Sequence, residues 1–245
     1  MARKHGHSLH DYVVRAIGQK IVSGKWPVGE TIPDLNTLRA GLKVSTTALR
    51  EALIALATKG LIEAKQKIGT IVQPREEWNM LDAGVLSWRV DSEEGEYVIA
   101  ELYELRQLIE PLAASLAATH ATRREIERLQ SAYEDMVVAG DDGDKVLDPD
   151  VRFHRGIIAA SGNSLFASVG LIIAAALEVN FDAIKESPRG HAWALPLHKA
   201  ILDAIAAHDA KAARLAMQKL LKASEEDLRS LRNAKTKRPQ SRRTS

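Results

Sequence analysis

Residues 44–73, VSTTALREALIALATKGLIEAKQKIGTIVQ, constrain the fold more than any other stretch of this chain. Ser45 suits a helix N-cap because its hydroxyl oxygen can accept hydrogen bonds from free backbone N–H groups. Apolar residues then recur at helical spacing until Gly60 ends the helix. Two short apolar runs around the polar tip at residues 65–67 follow and predict a two-stranded hairpin. A helix with one apolar face followed directly by a basic hairpin is typical of a winged helix-turn-helix.

Charge divides the chain into a basic N-terminal part, an acidic middle and a basic end. Residues 1–75 contain 12 Lys or Arg and 5 Asp or Glu, and residues 228–245 contain 7 basic and no acidic residues. Since the whole chain has a formal net charge of +2, residues 76–227 carry about −12. A basic unit beside an acidic body predicts that a polyanion binds at one end only.

Composition excludes several other classes of protein. The chain has no cysteine, which excludes disulfides, thiolate metal sites and thiol catalysis. The residues MARKHGHSLHD form no signal-peptide pattern, and the longest apolar run, Leu171–Leu177, is far too short to span a bilayer. We therefore expect a soluble cytoplasmic protein without a membrane partner.

Helical periodicity predicts a mainly α fold. We expect an N-terminal winged helix-turn-helix with a two-stranded wing, followed by an all-α helical bundle. The predicted boundaries are 9–74 for the first domain, 75–95 for a linker, 96–231 for the bundle and 232–245 for a basic disordered tail. Apolar residues of the linker are candidates to anchor it between the domains: Trp78, Leu81, Val85, Leu86 and Trp88.

The motifs of the N-terminal domain resemble the DNA-binding half of the GntR family. The matching motifs are Val28-Gly29, Ile32-Pro33, Leu38, Val44-Ser45, Leu49-Arg50-Glu51-Ala52-Leu53, Leu56, Gly60-Leu61-Ile62, Gly69-Thr70 and Val72. In this family an Arg commonly stands where this chain has Thr46, and a second one where it has Asn36. Arg50 keeps its counterpart. The resemblance therefore implies DNA binding with a base preference that differs from the family's usual operators.

The predicted third helix presents Thr46, Thr47 and Arg50 on its polar face, where they can reach base edges in a major groove. The predicted DNA-contacting residues are Asn36, Thr46, Thr47, Arg50, Lys65, Gln66, Lys67 and Gly69. An ordinary solvated face is the alternative, but the basic charge of this domain favours DNA. Because one such domain offers few base contacts, we expect a homodimer on a palindromic operator of double-stranded DNA.

Polar residues on apolar helical stripes predict a polar cavity in the bundle. Arg106, Asn180 and His198 each lie on such a stripe, and Asp150 and His154 share one helix face at i and i+4. Burying any of these groups without a partner costs on the order of 1–3 kcal/mol, so we expect the five to meet. They are the predicted effector-binding residues, although Arg106 could instead pair with Glu110 or Asp150, and each His could be an ordinary core residue.

The bundle resembles the all-helical effector domain of the FadR branch, through ELRQLIEPLAASLAA, the DxxxH motif and HKAILDAIAAHDAKAARLAM. The resemblance implies a divalent metal, such as Zn²⁺ or Ni²⁺, held by one Asp and three His. Asp150, His154 and His198 match three of the ligand positions, and Leu220 stands at the fourth. Three such ligands can still hold a metal that water or an effector carboxylate completes.

We interpret the chain as a transcription regulator and not an enzyme. The segment Trp78-Asn79-Met80-Leu81-Asp82 resembles regulators that respond to sugar acids such as galactonate, which implies a repressor released by a small carboxylate such as a hexonate. The alternative effectors are a short hydroxy acid, a fatty acyl compound or an amino acid derivative. A metal-dependent enzyme with a fused DNA-binding module is disfavoured because no general base or nucleophile motif accompanies the metal cluster. The acidic body disfavours a nonspecific DNA-packaging protein.

Overall fold

The computed structural model describes residues 9–166, 170, 173–174, 177 and 190–236. Its chain divides into two compact units, residues 1–98 and residues 99–245. The predicted fold class is confirmed, because the first unit is a helix-turn-helix with an antiparallel two-stranded wing and the second unit is helical. Among the described residues, no helix combines the length and the apolarity that a membrane span requires.

The first unit contains four helices and two strands among its described residues. They are α1 (Leu9–Val22), α2 (Leu35–Leu42), α3 (Thr46–Thr58), β1 (Ile62–Lys65), β2 (Gly69–Val72) and α4 (Ala83–Val90), with a 3₁₀ turn at Arg75–Glu77. Helix α1 packs across α3. Val13, Ile17, Leu49 and Leu56 are buried at the contact and form the centre of the core.

Local capping fixes where the second and third helices begin. The Asp34 carboxylate accepts hydrogen bonds from the backbone N–H groups of Asn36 and Thr37, at 2.8 and 3.1 Å, and thereby starts α2. The hydroxyl of Ser45 accepts from the backbone N–H of Ala48 at 3.1 Å and starts α3, as the sequence predicts. The turn that joins the two helices therefore ends at the Ser45 cap.

The wing is a short antiparallel hairpin in which Ile62 pairs with Val72 and Lys65 pairs with Gly69. Ile62 and Val72 are buried at the base, and the tip is exposed. Lys67 has a φ of 64°, so the tip turns through the left-handed region. The basic residues of the tip consequently project into solvent beside α3.

Residues 75–95, predicted as a linker, belong to the first compact unit. The Trp88 ring covers Gly18 of α1 so closely that a Cβ at Gly18 would lie 2.3 Å from a ring carbon. Trp78 is buried and donates from Nε1 to the backbone oxygen of Gln73 at 2.9 Å. Leu81 is 61% exposed and makes no such anchor. Since α4 packs on α1, the segment moves with the DNA-binding unit.

The second unit is built from long helices. They are α5 (Gly95–His120), α6 (Arg123–Ala139), α7 (Gly143–Ala160), α8 (Leu195–Ala206) and α9 (Ala210–Thr236), and positions 164–166, 170, 173–174 and 177 are also helical. Its core contains Phe153, Ile157, Ile201 and Met217, packed against an alanine-rich face of α5. Small side chains on α5 allow neighbouring helices to approach closely, which brings polar groups from several helices to one place.

The C-terminal helix extends further than predicted. Helix α9 includes residues 232–236, which the sequence analysis assigned to the disordered tail. Residues such as Arg232, Ala234 and Lys235 favour helix, so the chain continues the helix beyond the last core contact. The rest of the predicted tail, 237–245, lies outside the described residues.

Candidate functional site

The predicted DNA-contacting residues are all exposed in the structure. Thr46, Thr47 and Arg50 lie on the outer side of α3, whose inner side holds the buried Leu49 and Ala52. The wing residues Lys65, Gln66, Lys67 and Gly69 and the α2 residue Asn36 are also exposed. The unit therefore presents a helix of 13 residues and a basic hairpin with side chains available to a duplex.

A pocket in the second unit brings together most of the predicted effector residues. Helix α5 supplies Arg106, α7 supplies Asp150 and His154, and α8 supplies His198. Asn180, the fifth predicted residue, lies outside the described residues. The polar lining of the pocket is Arg106, Asp150, His154, His191, His198 and Ser224.

Asp150, His154 and His198 form a cluster that can hold a metal ion. One ligand atom of each lies within 4.8 Å of the others. The two imidazoles are 2% and 5% exposed, and each makes a T-shaped contact with the Phe153 ring, with centroids 6.0 and 5.3 Å apart. Two buried ring nitrogens beside a carboxylate oxygen make a ligand set suited to Zn²⁺ or Ni²⁺.

The hydrogen bonding of His198 favours a cation bound between its ring and the Asp150 carboxylate. Its Nδ1 atom lies 2.9 Å from the backbone oxygen of Ala194, so Nδ1 carries the proton and donates to that oxygen. The Nε2 atom of a neutral His198 then holds a lone pair. It is buried and lies 3.0 Å from the Asp150 carboxylate, but the two are not aligned for a hydrogen bond. A lone pair facing a carboxylate is unfavourable unless a cation lies between them, and the ligand set therefore fits a metal.

His154 forms a hydrogen bond with Glu110, a residue that the sequence analysis did not assign to the site. Its Nδ1 donates to Oε2 of Glu110, and the Nε2 atom is directed towards Asp150, 3.7 Å away. Arg106 donates from Nε to the other oxygen of Glu110 at 2.5 Å. The spacing of Arg106 and Glu110 at i and i+4 signals their ion pair, but no local pattern signals the bond to His154.

The carboxylates of Asp150 and Glu110 are both ionised. Burial raises the pKa of Glu110, but the charge of Arg106 and the hydrogen bonds from His154 and Arg106 outweigh burial and lower it to about 2. Burial likewise raises the pKa of Asp150, and the contact with His198, together with nearby positive charge, lowers it to about 2. The pocket therefore presents fixed negative charge to a cation, beside the guanidinium of Arg106.

The fourth metal-ligand position of the resembled family is apolar here. Leu220 is 2% exposed and lines the pocket, and Ser224 follows one turn later on α9. A metal held by the other three residues would keep open coordination positions on this side.

His191 is a pocket residue that the sequence analysis missed. It lies in the segment before α8, which is fixed by the Asp141 carboxylate through the backbone N–H groups of His191 and Ala192, at 2.7 and 2.9 Å. Gly190 has a φ of 70°, and a Cβ there would lie 2.3 Å from that carboxylate, so glycine is favoured at this position. Burial lowers the pKa of His191, which favours the neutral ring.

Comparisons with protein families match both units. Residues 9–72 match the family model described as bacterial regulatory proteins, gntR family, and residues 101–223 match the FCD domain. The chain is 29% identical over 222 residues to the galactonate operon transcriptional repressor of Escherichia coli, covering 90% of this chain and 97% of that protein. It is 30% identical over 217 residues to the Escherichia coli regulator YieP, covering 88% and 93%.

A solved structure supports the fold. The Listeria monocytogenes protein Lar aligns with 91% of this chain and 98% of its own, with a TM-score of 0.63 and 18% sequence identity. At that identity the likeness concerns the fold alone.

Proposed function

The chain belongs to the GntR family of bacterial regulatory proteins, with an FCD domain, and on this premise we propose that it represses a sugar-acid catabolic operon until a small carboxylate effector releases it. The family consists of transcription regulators, and no enzyme is among the relatives described above. Likeness to the galactonate operon repressor supports the effector class. As a DNA-bound regulator, the protein would work in the cytoplasm as a homodimer on a palindromic operator.

The burial of Arg106 at the pocket wall is the observation that most directly supports an acidic effector. Its guanidinium is 3% exposed, lines the pocket and uses Nε for Glu110. The two terminal NH₂ groups make no hydrogen bond among the described residues, and a guanidinium recognises a carboxylate with such paired donors. Burying this positive charge where an anion can reach it supports an acidic effector over a neutral sugar.

The metal cluster supplies a second point of recognition. Asp150, His154 and His198 would hold a divalent ion such as Zn²⁺ or Ni²⁺, which acts as a Lewis acid towards a carboxylate or hydroxyl oxygen of the effector. His191 and Ser224 add neutral hydrogen-bonding groups to the same lining, which suits hydroxyl groups. A polar, hydroxylated acid therefore fits this lining better than a fatty acyl chain does.

On the DNA side, we assign base reading to Thr46, Thr47 and Arg50. Exposed Lys65 and Lys67 of the wing would contact the phosphates and the minor groove, and Asn36 the backbone at the start of α2. Because residues 75–95 pack with the first unit, an effector-driven change in the FCD domain would move each DNA-binding unit as a whole and change the spacing between the two halves of the dimer.

A ligand screen tests this proposal. Hexonates, hexuronates, 2-keto-3-deoxy acids and short hydroxy acids are each added to the protein, with and without Zn²⁺ or Ni²⁺, and the melting temperature is followed. An effector at about a hundred times its Kd stabilises the folded state by about 2.7 kcal/mol. The compound that raises the melting temperature should also release operator DNA in a gel-shift assay. Stabilisation only by short hydroxy acids would place the effector outside the sugar acids, and product formation would contradict the regulator assignment.

A further inference from the structure

Glu110 lies behind the pocket and contacts two of the residues that line it. Its side chain is 1% exposed. One carboxylate oxygen accepts from Nε of Arg106 at 2.5 Å, and the other accepts from Nδ1 of His154. Arg106 and His154 both line the pocket, so one buried carboxylate joins the guanidinium and a metal-ligating imidazole.

Only a carboxylate can serve both neighbours. Arg106 and the Nδ1–H of His154 are both donors, and each takes a separate oxygen of Glu110. An amide of the same size has one oxygen and one NH₂ group, so it would face one of the two donors with another donor. A hydrocarbon side chain would leave both donors unpaired in the interior.

Holding Nδ1–H of His154 decides which ring nitrogen faces the pocket. With the proton on Nδ1, the lone pair is on Nε2, the nitrogen on the Asp150 side of the ring. A carboxylate partner also orients the ring and raises its basicity as a ligand. The same carboxylate limits the rotation of Arg106, so the terminal groups of the guanidinium are held at the pocket wall.

We propose that Glu110 is a positioning residue for both halves of the site, setting the His154 tautomer for the metal and the orientation of Arg106 for the effector carboxylate. This inference rests on the proposed function, because it requires that the pocket take a metal and an acid. It adds that the two ligands are linked through one buried side chain. Because Glu110 holds both groups at once, a shift of its carboxylate at one ligand changes the geometry offered to the other.

Replacing Glu110 by Gln tests the inference, with Glu104→Gln as the matched control. Glu104 is on the same helix and exposed, so the control removes the same charge without touching the pocket. Zn²⁺ affinity is measured by competition with a chelator, and the visible spectrum of the Co²⁺-loaded full-length protein reports the ligand field. We expect Glu110→Gln to weaken Zn²⁺ binding by about 10- to 100-fold and to change the Co²⁺ spectrum. Glu104→Gln should match the wild type in both measurements.

A measurement on the wild type keeps the inference testable if Glu110→Gln does not fold. In the Zn²⁺-loaded protein with ¹⁵N-labelled histidine, His154 should coordinate through Nε2 and show a slowly exchanging, downfield Nδ1–H signal. Coordination through Nδ1 would overturn the inference.

The outcomes separate this inference from the function it rests on. Wild-type Zn²⁺ binding together with unchanged affinity and spectrum in Glu110→Gln overturns the role of Glu110 and leaves the proposed function standing. If the wild-type protein binds neither Zn²⁺ nor Co²⁺, the metal site is contradicted in this inference and in the proposed function alike.

Discussion

The Nε2 atom of His198 lies 3.0 Å from a carboxylate oxygen of Asp150, and the two are not aligned for a hydrogen bond. Nδ1 of the same ring is committed to the Ala194 carbonyl. In the neutral ring, the buried nitrogen has its lone pair beside a negative charge, an arrangement that a bound cation stabilises. The predictions for the pocket follow from this relationship.

His198→Ala should weaken both metal loading and the response to effector. The substitution removes one of three ligands and leaves Asp150 and His154, so we expect at least about a tenfold loss of Zn²⁺ affinity. Chelator-treated wild type should show the same loss of effector affinity in calorimetry. His120→Ala, at an exposed position on α5, is the control. Equal effector binding by stripped and loaded wild type would show that the metal has no part in recognition.

Leu220→His should tighten the metal by supplying a fourth ligand. Without metal, the buried imidazole replaces an apolar contact, and we expect a cost of about 1–3 kcal/mol in unfolding free energy. With Zn²⁺ the melting temperature should rise above that of the loaded wild type. Leu215→His, at a half-exposed position on the same helix, controls for the added histidine. Unchanged Zn²⁺ affinity in Leu220→His would mean that α9 does not face the metal.

Arg106→Lys should leave operator binding intact and abolish release by the effector. A lysine keeps the charge beside Glu110 but lacks the paired donors that recognise a carboxylate. Arg106→Ala should additionally destabilise the unit by about 3–5 kcal/mol, because Glu110 stays buried without its partner. A gel-shift titration with effector measures release, and Arg155→Lys at an exposed position of α7 is the control. Normal release from Arg106→Lys would exclude Arg106 as the effector clamp.

Arg50→Ala should weaken operator binding while the protein stays folded, because this side chain is exposed on the outer face of α3. Loss of a base contact costs about 1–3 kcal/mol and relaxes specificity at that base pair. Arg123→Ala, an exposed residue of the FCD domain, removes the same charge away from DNA. Operator affinity equal to wild type at fixed salt would place the recognition face elsewhere.

Gly60→Ala should destabilise the DNA-binding unit by at least about 2 kcal/mol. Gly60 has a φ of 76°, and a Cβ there would lie 1.9 Å from the backbone oxygen of Glu77. Gly41→Ala, in α2 with nothing within 4 Å of its Cβ, should instead stabilise it by about 0.5–1 kcal/mol. Urea denaturation followed by tryptophan fluorescence reports mainly this unit, because three of the four tryptophans, Trp26, Trp78 and Trp88, lie within it and only Trp193 lies in the second unit. Equal midpoints for the two variants would contradict the turn geometry.

Features that depend on neighbouring residues could be predicted from the sequence. Ser45 and Gly60 bound the region of α3, and alternation of apolar and polar residues places Arg50 outside and Leu49 inside. Asp150 and His154 share a helix face because four residues make about one helical turn. Each of these features follows from helix period, capping or turn chemistry, which act over a few residues.

Contacts between distant residues were decided only by the tertiary structure. Glu110 meets His154 across 44 positions of sequence, and Asp141 fixes the backbone of His191 across 50. Trp88 closes over Gly18, which turns a predicted linker into part of the DNA-binding unit. The sequence determined which helix faces are apolar and which polar residues lie on them. Which of those polar residues meet depends on how the helices pack, because burial selects arrangements in which buried donors and acceptors find partners.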